Sequence, residues 1–173
     1  MRWMWIDSIV EFVADKRLSA IKNVSLAEEY LHDHFPATDS AEALPVLPAS
    51  LIIEGMAQTA GILVGSARQF RERVILAKIS LARLDCEVFP GQTVRYDATL
   101  ERIDSAGAAT AGVVSRLGPT SLQWEPIGRI DLMFSHLDEA MAGMELPQHN
   151  FVFGENLDVI LRTAGLENLK RGS

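Results

Sequence analysis

From Leu51 to Val64 the chain reads Leu-Ile-Ile-Glu-Gly-Met-Ala-Gln-Thr-Ala-Gly-Ile-Leu-Val, and a helix drawn through it keeps almost no polar face. Such a helix has to be buried nearly all round. Pro48 and the candidate N-cap Ser50 precede it, and the pattern predicts a helix from Leu51 to about Phe70. Gly55, Gly61 and Gly65 each cost about 1 kcal/mol relative to alanine inside a helix. The compensation expected is close approach of helix backbone to a sheet.

The rest of the chain supplies that sheet. Residues 3–13 and 17–24 read as strands joined by a turn at Ala14-Asp15-Lys16, and residues 24–34 permit a helical turn or two. Pro36, Pro45 and Pro48 make residues 35–50 a loop. Beyond the helix, residues 74–88, 93–104, 108–117 and 122–137 read as strands, although Pro126 interrupts the last. Leu157, Ile160, Leu161 and Ala164 recur at helical spacing before Gly165, a candidate C-cap. The expectation is one α+β domain over residues 1–173. Its core lies at about 5–137, antiparallel sheet around one helix, followed by a tail and an extra C-terminal helix.

Charge and composition remove several classes. A net charge of −7 leaves no basic footprint for nucleic acid. The 14-residue apolar stretch is too short for a bilayer, and Met1 to Phe12 lacks the apolar core of a signal peptide. A lone Cys86 cannot form an internal disulfide. The expected setting is therefore the cytoplasm, without membrane insertion. His32-Asp33-His34 lacks the distant ligands of a metal site, and no metal is expected.

A carboxylate inside a buried helix needs a reason. Glu54 has Ile52, Ile53 and Met56 beside it, so desolvation would favour a neutral, proton-donating acid; Gln58, at i+4, can orient it. Read alone, Glu54 serves equally as a partner of the helix dipole. His34 opens the proline-rich loop, and His32 is its rival as a base. His136 and His149 have no evident partners in sequence.

Together these residues carry a resemblance. His34-Phe35-Pro36, Pro45-Val46-Leu47-Pro48 and Leu51-Ile52-Ile53-Glu54-Gly55-Met56-Ala57-Gln58 are similar to the signature of the 3-hydroxyacyl-acyl-carrier-protein dehydratases. Phe89-Pro90-Gly91-Gln92 resembles that family's later turn. The resemblance implies a hot-dog fold and a homodimer, with assembly into a trimer of dimers left open. It implies catalysis by His34 and Glu54 from different subunits, and Phe35, Pro48, Ala49 and Gln58 as substrate-binding residues. The substrate would arrive on the phosphopantetheine of acyl carrier protein, and no cofactor would be needed. Glu at position 54 points to the branch that dehydrates without isomerising.

The chain departs from the pattern at three points. Ala37 and Ala49 stand where the family has glycine, and Glu54 follows His34 by 20 positions through an insertion within residues 37–44. Asp85-Cys86-Glu87 is more acidic than a landing area for an acidic carrier would be. Arg68, Arg71 and Arg73 form the nearest basic cluster, which also suits a solvated helix end. Two other readings remain in view: a hot-dog thioesterase using Glu54 to activate water, and a dehydratase-like binding module without turnover.

Overall fold

The structure is a computed structural model that describes residues 4–33, 35–71, 73–137 and 155–169. His34 and His149 lie outside the described residues. Six strands form one antiparallel sheet: β1 (Ser8–Val13), β2 (Arg17–Asn23), β3 (Arg73–Leu84), β4 (Thr93–Ile103), β5 (Gly107–Leu117) and β6 (Glu125–Leu137), in the spatial order β1-β2-β4-β5-β6-β3. A short helix α1 (Glu29–Asp33) follows β2, and the long helix α2 (Ala49–Ala67) precedes β3. The C-terminal helix α3 spans Glu155–Thr163.

The alternation along β4 fixes its faces: Val94, Tyr96 and Ala98 are buried while their neighbours are not. The buried set meets α2, which packs against β2, β3, β4, β5 and β6. Ile52, Met56, Ala60 and Leu63 of the helix join Leu18, Ala20, Val114, Ile130 and Leu132 of the sheet in one cluster. At 19 residues α2 is long and apolar enough to cross a membrane, longer than the apolar stretch read in sequence. It is 61% buried within the protein, as the core helix of a folded domain would be.

The helix differs from expectation at both ends. It begins at Ala49, with Pro48 in the N-cap position and no side-chain cap, so Ser50 lies inside the first turn. The Pro48 carbonyl accepts from the N–H groups of Leu51 (2.9 Å) and Ile52 (3.2 Å), and the proline ring fixes a φ suited to helix entry. At the other end Gln69 and Phe70 take left-handed φ values of 55° and 54°. Their N–H groups bond back to Ser66 and Gly65, reversing the chain three residues early. Gly65 accordingly faces the Phe70 ring, while Gly55 does meet the sheet, against Tyr96.

Nor is the helix buried all round. Ser50, Ile53, Glu54 and Ala57 are only partly covered or exposed, and their i, i+3, i+4, i+7 spacing makes one open strip. The expected strand at 74–88 ends at Leu84, and the one at 122–137 starts at Glu125. Pro126 is tolerated because β3 pairs with β6 only as far as Gly128, so Pro126 has a strand on one side alone, beside a register shift in β5.

At the C-terminus, Leu157, Ile160 and Leu161 are buried, and α3 lies on β1. Gly165, at φ 70°, ends it as expected: its N–H bonds to the Arg162 carbonyl and that of Leu166 to the Leu161 carbonyl.

Candidate active site

The loop leading to α2 is anchored at both ends. Leu47 donates its N–H to the Val88 carbonyl (2.8 Å), and Val46, Leu47 and Pro48 are buried. The insertion at residues 37–44 is a self-contained excursion. Thr38 and Ala41 pair as an isolated bridge, the Thr38 hydroxyl accepts the Ala41 N–H at 3.1 Å, and Leu44 closes the base by donating to the Phe35 carbonyl at 3.0 Å. Because it returns to its starting point, the extra length leaves Phe35 beside the start of the helix.

There the chain encloses a cleft of about 400 Å³, lined by Phe35, Pro48, Ala49 and Ile52 on one side and by Leu84 to Glu87 on the other. Ala49 and Ser50 are the first helical residues, so their N–H groups have no acceptor within the helix. A helix N-terminus opening on a cleft can stabilise negative charge developing on a carbonyl oxygen, here against the opposing carboxylates Asp85 and Glu87 in the far wall. Cys86, the lone cysteine, is partly buried in the same wall.

Glu54 is not among the residues lining this cleft. It stands two positions after Ile52, about 200° further round the helix, and so faces another side. Its Oε1 accepts a 3.0 Å hydrogen bond from Gln58 Nε2. Gln58 is 4% exposed, and its Oε1 accepts the Trp5 N–H at 2.9 Å. Gln58 thus meets the carboxylate rather than the cleft. One copy of the chain brings Phe35, Pro48 and Ala49 together and holds Glu54 and Gln58 elsewhere.

Of the other sequence candidates, His136 is buried at 8% exposure on the inner face of β6. Arg68 donates to the Asp104 carbonyl at 3.4 Å, and Arg71 is exposed. Among the described residues no three His, Cys, Asp or Glu side chains are grouped to hold a metal. Ile52 and Cys86 of the cleft were named in sequence without a role in binding, and Leu84 was not singled out there. Neither was Trp5, whose contribution is a main-chain N–H and leaves no residue-type signal.

A family model for the FabA-like domain matches residues 2–117. The chain belongs to the FabA-like domain family. The match takes in β1 to β5 and both regions of the candidate site; β6 and α3 lie beyond it. This FabA-like chain is 35% identical over 103 residues to the 3-hydroxyacyl-acyl-carrier-protein dehydratase FabZ of Cupriavidus taiwanensis, covering 58% of the chain and 65% of that enzyme. It is 35% identical over 115 residues to FabZ of Solibacter usitatus, covering 65% of the chain and 67% of that enzyme. It thus spans just under two thirds of the length of the Cupriavidus enzyme.

Solved structures agree on the fold. The dehydratase heterocomplex ApeI:P from Xenorhabdus doucetiae superposes with a TM-score of 0.60 at 18% identity, covering 80% of this chain and 86% of that one. An acyl-CoA hydrolase from Bacillus cereus gives 0.57 at 15% identity, covering 86% and 84%. The FabA-like chain has the hot-dog fold expected from its sequence.

Proposed function

We propose that this protein dehydrates 3-hydroxyacyl thioesters carried on acyl carrier protein to trans-2-enoyl thioesters, as a homodimer whose active sites are shared between subunits. The observation that carries the proposal is the division of the site. The cleft lined by Phe35 lies on one side of α2 and the carboxyl of Glu54 on another. A second copy laid against the open strip of α2 can supply its own Glu54 to this cleft. FabZ relatives at 35% identity support the reaction class.

In this reading the thioester sits with its carbonyl oxygen at the Ala49 N–H, which stabilises the enolate as it forms. Neutral His34 takes the α-proton, the C–C bond becomes double, and the C–O bond to the β-hydroxyl breaks. The partner's Glu54 gives its proton to the departing oxygen, which leaves as water. Proton return from His34 to Glu54 through solvent resets the pair. The elimination moves two protons and one C–O bonding pair without a change that needs an electron donor or acceptor, so no cofactor is invoked. Phe35, Pro48 and Ala49 contact the acyl thioester, and Gln58 acts on it through Glu54. A lone cysteine fits a cytoplasmic setting.

Purified protein offered 3-hydroxyacyl and plain acyl thioesters decides among the readings. Enoyl product from the former is the expected result. Free acid from the latter identifies a thioesterase, and turnover of neither identifies a binding module.

A further inference from the structure

The hydrogen bond from Gln58 to Glu54 is the inner end of a longer chain of contacts. Gln58 is itself held by the N–H of Trp5, a residue 53 positions away that precedes β1. A main-chain donor orients an amide only as well as its own segment is fixed, and the segment around Trp5 is fixed at two points. On one side, Asp7 donates its N–H to the Ile21 carbonyl at 2.7 Å and its carboxylate accepts the Asn23 N–H at 2.7 Å. On the other, the Trp5 ring meets Tyr30 edge to face, with centroids 5.0 Å apart.

Both supports end on Lys22. Its ammonium bonds Asp7 at 3.3 Å and Glu28 at 2.6 Å, and Glu28 in turn accepts the Tyr30 hydroxyl. With the main chain from Asp7 back to Trp5 as one link, these contacts close a ring: Lys22 to Asp7, along the chain to Trp5, then through Tyr30 and Glu28 back to Lys22. Lys22 is only 6% exposed. A buried ammonium needs paired carboxylates, so its position is narrowly determined. Such a ring specifies geometry better than an apolar contact of the same size.

We propose that this ring, with Lys22 at its centre, positions the Glu54 carboxyl through Trp5 and Gln58. The inference rests on Glu54 being the acid of the proposed dehydration. Lys22, Tyr30, Trp5 and Gln58 are positioning residues: they set the direction of the proton donor, and the cleft that takes the acyl thioester is lined by others.

The test follows dehydration of a 3-hydroxyacyl thioester by the full chain and three variants. Tyr30→Phe removes the hydroxyl while keeping the ring, Gln58→Met removes the link to Glu54, and Lys22→Met removes the hub. Each is expected to lower kcat tenfold or more with KM within about twofold, and Lys22→Arg is expected to restore most of the kcat lost in Lys22→Met. Wild-type kcat in Tyr30→Phe and Gln58→Met overturns the proposal, as does a loss seen only as raised KM. If Lys22→Met fails to fold, those two milder variants decide. Glu54→Gln separates the two levels. Full activity in Glu54→Gln, or no dehydration by the wild type, removes the underlying reading. Inactive Glu54→Gln beside fully active ring variants removes this inference alone.

Discussion

Tyr96 illustrates how much one side chain can reveal. Its ring fills the space above Gly55, it is fully buried, and its hydroxyl bonds to no described residue. Burial, then the charge of Asp7, pushes its phenol well above the ordinary value of 10.0. Burial and the Glu28 hydrogen bond do the same for Tyr30. The folded protein therefore keeps these protons to higher pH than the unfolded chain. The resulting stability is whole below about pH 10 and is lost as pH rises further. Urea midpoints should fall above pH 10, and less steeply in Tyr96→Phe. At neutral pH Tyr96→Phe should be unchanged or more stable, because a buried hydroxyl without a partner costs about 1–3 kcal/mol. A large loss of stability at pH 7 would contradict this account. For the proposed chemistry, His34→Ala and Glu54→Gln should each lower kcat on the order of 10²–10⁴, the usual worth of a positioned base or acid. Glu54→Gln should melt near wild type, since Glu54 is only partly buried.

The central helix depends on what lies against it more than on its own propensity. Gly55→Ala in an exposed helix would gain about 1 kcal/mol. Here a Cβ at position 55 would lie 2.4 Å from the Tyr96 ring carbon that bears the hydroxyl. The ring is fully buried, so the change should destabilise by about 1–3 kcal/mol, as overpacking does. Denaturant unfolding measures the sign directly, and Gly55→Ala should cost less in a Tyr96→Ala background than in the wild type, because the clashing ring is gone. The helix start shows the same dependence. Pro48, buried and followed by Ala49 in the wall of the cleft, begins the helix where the site needs its first N–H groups.

For the whole molecule, the two edges of the sheet differ. The β1 edge is accompanied by α3, whose Leu157, Ile160 and Leu161 are buried. The β3 edge is 12 residues long, and among the described residues no further strand pairs with it. Leu76 and Ile79 pair with the buried Phe134 and Leu132, yet remain 40% and 45% exposed. A long apolar edge next to the partly open strip of α2 suits a second copy of the chain. If the proposed dimer pairs along this edge, Leu76→Lys with Ile79→Lys should shift sedimentation from dimer toward monomer and abolish the proposed dehydration. A dimer unaffected by both lysines would move the interface elsewhere. Mixing His34→Ala with Glu54→Gln should restore part of the activity once subunits exchange, because each heterodimer regains one site built from wild-type halves. No recovery after verified exchange would rule out sharing.

Much of this was settled by the order of residue types. A run with almost no polar face calls for burial, and the strands after it leave an antiparallel sheet as the cover, so one helix packed on an antiparallel sheet was legible, and the resemblance added the hot-dog fold. The His34-to-Gln58 motifs likewise pointed to the family. Prolines and glycines marked most boundaries, because they act on their own backbone: Gly165 ends α3 where its spacing says it should. The three-dimensional packing decided the rest. It stopped α2 at Ala67, because Gln69 and Phe70 turn back onto Gly65. It left Glu54 on an open strip instead of in the core, because one sheet covers only one side of a helix. It joined Trp5 to Gln58 across 53 positions through a main-chain N–H, a donor that every residue but proline carries. Local patterns record what a residue requires of its surroundings; which distant group meets that requirement is fixed only when the chain is packed.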